Sequence, residues 1–147
     1  MYSYDRRYAA DSATPGLDAV AKKDHSAKLD GFTDKAVRAA DKAEDGHGLK
    51  GAIQSAVNAA YGMFNLLRPA ISRKELATLK GLTMPVAKEG RALIEGLMKL
   101  DEHYGPLAAG KLKEAEPAKV AKALHDLSMQ MDTVAKVYKQ YRAAYHR

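Results

Sequence analysis

The sequence predicts an all-α fold, an antiparallel helical bundle of four to five main helices with an extended N-terminal arm, and three observations carry that reading. First, 27 of the 147 residues are Ala while Val, Ile and Thr together number 15. Ala gives up no side-chain freedom in a helix and β-branched residues do, so the balance favours helix over sheet. Second, apolar residues recur at steps of three and four along most of the chain, the spacing of one helix face. Third, Gly and Pro punctuate the chain where those stripes end. A chain of this length buries one ordinary core, which predicts an arm over 1–14 and a single helical-bundle domain over 15–147.

The elements follow in order. Tyr2, Tyr4, Arg6, Arg7 and Tyr8 alternate with small polar residues up to Thr14-Pro15-Gly16, and without an apolar stripe that stretch predicts an arm, extended or disordered. Leu17, Val20, Ala21 and Leu29 predict a weak helix to about Asp30. Phe32, Ala36, Ala39, Ala40 and Ala43 predict a second short one, with Thr33 or Asp34 near its start and Gly46-His47-Gly48 as its stop. Leu49, Ile53, Ala56, Val57, Ala60, Phe64 and Leu67 form a wide stripe on a helix that Pro69 ends. Ser72 and Glu75 have the capping-box spacing, in which the hydroxyl accepts from the third amide and the carboxylate reaches back, so a helix starts at Arg73 and runs to about Lys80. Gly81 ends it.

Pro85 suits a first turn because its missing N–H has no partner there, and Val86, Gly90, Leu93, Leu97, Leu100 and Tyr104 follow until Gly105-Pro106 stops the helix. A short helix is expected over 107–115. Pro117 restarts the chain, and Val120, Leu124, Leu127, Met131, Val134, Tyr138, Tyr141 and Tyr145 step by 4, 3, 4, 3, 4, 3 and 4, a seam about 45 Å long. Mostly small residues flank it, which favours close packing of antiparallel helices within one chain over a zipper between two. The Tyr end of this helix is left free to project and meet another chain.

Lys and Arg total 24 against 18 Asp and Glu, a net charge of +6, which favours contact with polyanions. The excess gathers in two segments. Over 49–81, Lys50, Arg68, Arg73, Lys74 and Lys80 face Glu75 alone; over 106–147, eight cations face four acids, whereas 11–48 is net negative. With no Cys, disulfide frameworks, thiolate metal sites and thiol nucleophiles are excluded. No apolar run approaches the roughly 18 to 20 residues that cross a bilayer, and no apolar h-region follows the first charges. A chain without membrane span or signal peptide, in the cytoplasm or within a particle, is therefore expected.

No constellation predicts catalysis. A di-iron bundle needs two Glu-x-x-His pairs, and only Glu44 to His47 has that spacing, with Gly46 inside it. The serines lie outside any Gly-x-Ser-x-Gly elbow, and no phosphate-cradling Gly pattern follows a strand. Asp101 and Glu102 are adjacent on a helix and so diverge. The expectation is a non-enzymatic protein with no metal and no small-molecule cofactor.

From Ser72 to Arg91 a different pattern appears. Ala77, Gly81 and Thr83 have the spacing of a small packing residue, a turn glycine and a helix cap, and the stretch resembles the DNA-binding helix-turn-helix family. That resemblance implies Met84, Lys88 and Arg91 at the major groove and Arg73 with Lys74 near the backbone. Arg68 and Lys80 complete the candidate nucleic-acid contacts.

Six of the eight tyrosines lie at the two ends with cations between them: Tyr2, Tyr4, Arg6, Arg7 and Tyr8 at one, Tyr138, Tyr141 and Tyr145 at the other. Tyr and Arg bring large contact area with a polar handle to interfaces. The leading expectation is thus a structural or assembly protein, a homo-oligomer or part of a larger particle such as a virion, that self-associates through these residues and touches nucleic acid. A helix-turn-helix regulator and a small protein-binding module or inhibitor are the alternatives.

Overall fold

Six helices, one 3₁₀ turn and no strand make up the described residues of the computed structural model, 13–112 and 116–146. The helices are α1 (Pro15–Lys22), α2 (Ser26–Glu44), α3 (Leu49–Leu67), α4 (Arg73–Leu79), α5 (Pro85–Ala108) and α6 (Pro117–Tyr145), with the 3₁₀ turn over Arg68–Ala70. Most of the arm, residues 1–12, and the end of the expected short helix, 113–115, lie outside the described residues, as does Arg147.

The α6 seam is the axis of the bundle. All eight of its predicted positions are buried, from Val120 to Tyr145, because α2, α3 and α5 all pack on this helix. Helices α2 and α5 run antiparallel to it. Asp24 and Asp30 of the α2 side pair with Arg142 and Lys139, and the Gly90 and Gly96 positions of α5 face Tyr141 and Val134. The Gln130 side-chain amide donates to the Gly96 carbonyl at 3.1 Å. Small residues flanking the seam thus serve close intramolecular packing, as their size predicts. One continuous apolar cluster runs from Leu17 to Tyr145.

Several boundaries depart from the sequence reading, each for a local reason. The break expected near Asp30 falls instead between Lys22 and Ser26, where the Asp24 carboxylate accepts the Ser26 amide at 2.9 Å, and α2 continues through Gly31. Helix α5 passes Gly105 and Pro106, since a proline in the last turn removes one backbone bond. It ends at Ala108 in a Schellman motif, with Gly110 at φ +70° and the Lys111 amide donating to the Pro106 carbonyl. Leu107 therefore belongs to α5 and not to a separate helix. On α3 the core side is Ala52, Ala56, Ala59 and Met63, with Ile53, Val57 and Phe64 only half-buried, a small rotation that brings alanines between close-packed helices.

The capping box is half realised. Ser72 Oγ accepts from the Glu75 amide at 3.1 Å, but the Glu75 carboxylate turns to a different helix. It accepts the amides of Gly16 at 2.9 Å and Leu17 at 3.0 Å, capping α1. The far end of α1 is held by α6: the Tyr138 hydroxyl accepts from the His25 amide at 3.1 Å and shares its proton between the carbonyls of Val20 and Lys23.

Candidate functional site

Helix α2 carries three parallel rows of side chains. Leu29, Thr33, Ala36, Ala40 and Ala43 form the buried row; Thr33, the one polar member, donates its hydroxyl proton to the Leu29 carbonyl at 2.9 Å. One residue ahead at each step lie Asp30, Asp34, Val37, Asp41 and Glu44, and one residue behind lie Lys28, Phe32, Lys35, Ala39 and Lys42. Because each residue turns about 100° around a helix, these outer rows flank the core on opposite sides. The acidic flank lies toward α6, where Asp30 meets Lys139 at 2.8 Å. The basic flank lies toward α3, with Arg38 beside it.

The facing wall of α3 is uncharged. Gly51, Ser55, Asn58, Gly62 and Asn65 repeat at steps of 4, 3, 4 and 3 and line the cleft opposite the cations. No acidic residue occurs between Asp45 and Glu75. The cleft opens as two adjoining hollows of about 560 and 440 Å³, and the half-buried Phe32 and exposed Lys35 border both. The Phe32 ring rests on α3 at Gly62, where a Cβ would stand 2.5 Å from it.

Ion pairing separates this basic face from the other one. Along α6 and its approach, Lys119, Lys122, Lys136, Lys139 and Arg142 each pair with a carboxylate. Among the described residues, Lys28, Lys35, Arg38 and Lys42 have no such partner and are exposed. Four cations without an ion-pair partner make this wall locally positive, while the acids of the opposite flank bring α2 as a whole to zero net charge.

The predicted nucleic-acid residues are scattered by comparison. Arg68 is exposed at the 3₁₀ turn and donates to Asn65 at 3.3 Å, which places it at one mouth of the α2–α3 cleft. Arg73 and Lys74 are exposed on α4, Lys80 follows it, and Lys88 is exposed on α5. Arg91 is partly buried, and its guanidinium donates to the carbonyls of Leu79, at 2.8 Å, and Leu82; its role here is to close the end of α4. The residues that carry the helix-turn-helix resemblance behave differently from that family's pattern. Gly81 does take the turn, at φ +85°. Ala77, however, is exposed rather than packed between helices, and Met84 rather than Thr83 is the cap residue of α5, with no side-chain bond.

The C-terminal tyrosines turn inward. Tyr138, Tyr141 and Tyr145 are 0%, 1% and 8% exposed, so the expected outward Tyr face is replaced by a buried one; α1 and α2 cover the end that the sequence left free. Burial raises the Tyr138 hydroxyl above its usual range. It also lowers His25, helped by the charges of Lys23 and Lys28. Tyr2, Tyr4, Arg6, Arg7 and Tyr8 lie outside the described residues.

Among the described residues no three His, Asp or Glu side chains are grouped to hold a metal, and no helix is long and apolar enough to cross a membrane. The chain matches no protein-family model, no curated protein and no solved structure.

The basic row of α2 was missed by summing charge along the sequence. Residues 11–48 total −2 because the acids and cations of one helix cancel in a sum. The signal was present in the phase, with acids one residue after the apolar row and cations one residue before it.

Proposed function

We propose that this chain is a non-enzymatic component of a nucleoprotein assembly that contacts nucleic acid through the basic wall of the α2–α3 cleft. The observation that carries the reading is the group of four unpaired cations, Lys28, Lys35 and Lys42 in one row with Arg38 beside it, facing a helix wall without a single acid. Such a face attracts phosphates by releasing their counterions, so its affinity falls steeply with salt. In this reading the arm supplies the contact between copies.

The test is binding of a labelled nucleic acid at low and high salt by the wild-type chain and by a Lys35→Gln, Arg38→Gln, Lys42→Gln variant. Salt-sensitive binding lost in the variant supports the proposal. Binding that survives the three substitutions, or no binding at low salt, rejects it. Self-association is tested separately: replacing Tyr2, Tyr4 and Tyr8 together by Ala lowers the mass in light scattering, and an unchanged mass removes the arm from that role.

A further inference from the structure

We infer that the α2–α3 cleft takes single-stranded nucleic acid, with the α2 cations on consecutive phosphates and a base stacked on Phe32; this rests on the polyanion reading above and goes beyond it. Lys28 to Lys42 is a rise of fourteen helical steps, about 21 Å of axis, which is a line of positive charge suited to an extended backbone. Phe32 sits within that line, one step from Lys28 and one from Lys35, and borders both hollows. Alternation of cations with an aromatic ring in a groove is the arrangement that tracks a single strand, because phosphates take the charges and any base offers a π face.

The opposite wall fits the same ligand. Ser55, Asn58 and Asn65 offer hydroxyl and amide groups to base edges without adding charge. A duplex keeps its bases stacked inside and presents none to Phe32. An acidic helical peptide would need deep apolar holes for side chains at every third or fourth position. Here the floor is Gly51, Ala52 and Ala59.

The probes are labelled oligothymidylate, a duplex of the same length, heparin and polyglutamate, each titrated with the full chain between about 50 and 200 mM salt. Four phosphate contacts predict a log–log salt slope of about −2.8 for the single strand, falling to about −0.7 in the Lys35→Gln, Arg38→Gln, Lys42→Gln variant. Phe32→Ala lowers single-strand affinity about fivefold or more and leaves the slope unchanged, whereas Phe32→Tyr retains the affinity. Circular dichroism checks folding, and Phe32→Leu, which keeps apolar volume without a π face, repeats the test should the Ala variant unfold. Because the chain has no Trp, Phe32→Trp also supplies a single reporter whose emission is quenched when a base stacks on it.

Equal affinity for duplex or heparin with no effect of Phe32 would overturn the single-strand inference while leaving the polyanion reading intact. Preference for polyglutamate would overturn it in favour of an acidic protein partner. Failure to bind any of the four would remove both.

Discussion

The carboxylate of Glu75 accepts the backbone amide of Gly16 at 2.9 Å across a separation of 59 residues, so the start of α1 is capped by a side chain from the helix that sequence spacing assigned to its own cap. Glu75 is 7% exposed, and its two oxygens meet two of the four amides that a helix N-terminus leaves without internal partners. Glu75→Gln, which keeps the shape but turns an NH₂ group toward one of those donors, is expected to cost about 1–3 kcal/mol in urea unfolding. Gly16 has no room for a side chain: a Cβ would lie 1.8 Å from the Pro69 carbonyl oxygen. Gly16→Ala is therefore expected to cost about 3 kcal/mol or more, through displacement of α1 from the 3₁₀ turn.

Tyr138 makes stability depend on pH at the alkaline end. Its hydroxyl is buried and bonded to α1 and to the α1–α2 link, and its pKa is raised by burial. A raised pKa means that the folded state holds its proton where the unfolded chain, with an ordinary value near 10, has begun to lose it. Its contribution is thus full below about pH 10 and is lost as pH rises beyond that value. Tyr138→Phe should cost about 1–3 kcal/mol at neutral pH and flatten the alkaline fall of the urea midpoint. A variant with wild-type stability and the same alkaline slope would show that the hydroxyl carries no such burden.

His25 acts in the opposite direction. Burial, with Lys23 and Lys28 nearby, lowers its pKa, so protonation favours the unfolded chain. The stability it supplies is present above the ordinary histidine value of about 6.5 and is lost as pH falls. The Asp24 carboxylate and the Arg142 guanidinium face the same corner. His25→Gln should therefore weaken the acid-side fall of the urea midpoint as pH drops below about 6.5, measured against wild type in one buffer series.

Arg91 separates packing from DNA readout. Its guanidinium closes the carbonyl end of α4, and Arg91→Ala should destabilise by about 1.5–3 kcal/mol, the range for hydrogen bonds to a charged group. Nucleic-acid affinity should change little in this variant. A large loss of duplex binding with unchanged stability would instead favour the helix-turn-helix reading.

Leu127 tests the seam itself. It is fully buried on α6, and Leu127→Ala should cost about 2–5 kcal/mol, depending on how far α2 and α5 collapse into the space.

Helix type and most of the core were legible in the sequence, because a period of three and four residues is a local property that survives any arrangement of the helices. The α6 seam shows this best, as each of its eight positions is buried. The site was legible only in principle. Lys28, Phe32, Lys35 and Lys42 share a row that helical phase predicts, but charge summed along 11–48 is negative and conceals it.

By itself the sequence determined the class, the stripes and the turn positions, since propensity and period act within a few residues. Tertiary structure decided which partner each outer row meets. It turned the Glu75 carboxylate to α1 instead of Ser72, buried Tyr138, Tyr141 and Tyr145 inside the bundle, and engaged Arg91 with α4. It also set the basic row of α2 against the acid-free wall of α3. These outcomes depend on contacts between residues far apart in the chain, where the cost of burying a polar group unpaired selects the partner that packing brings within reach.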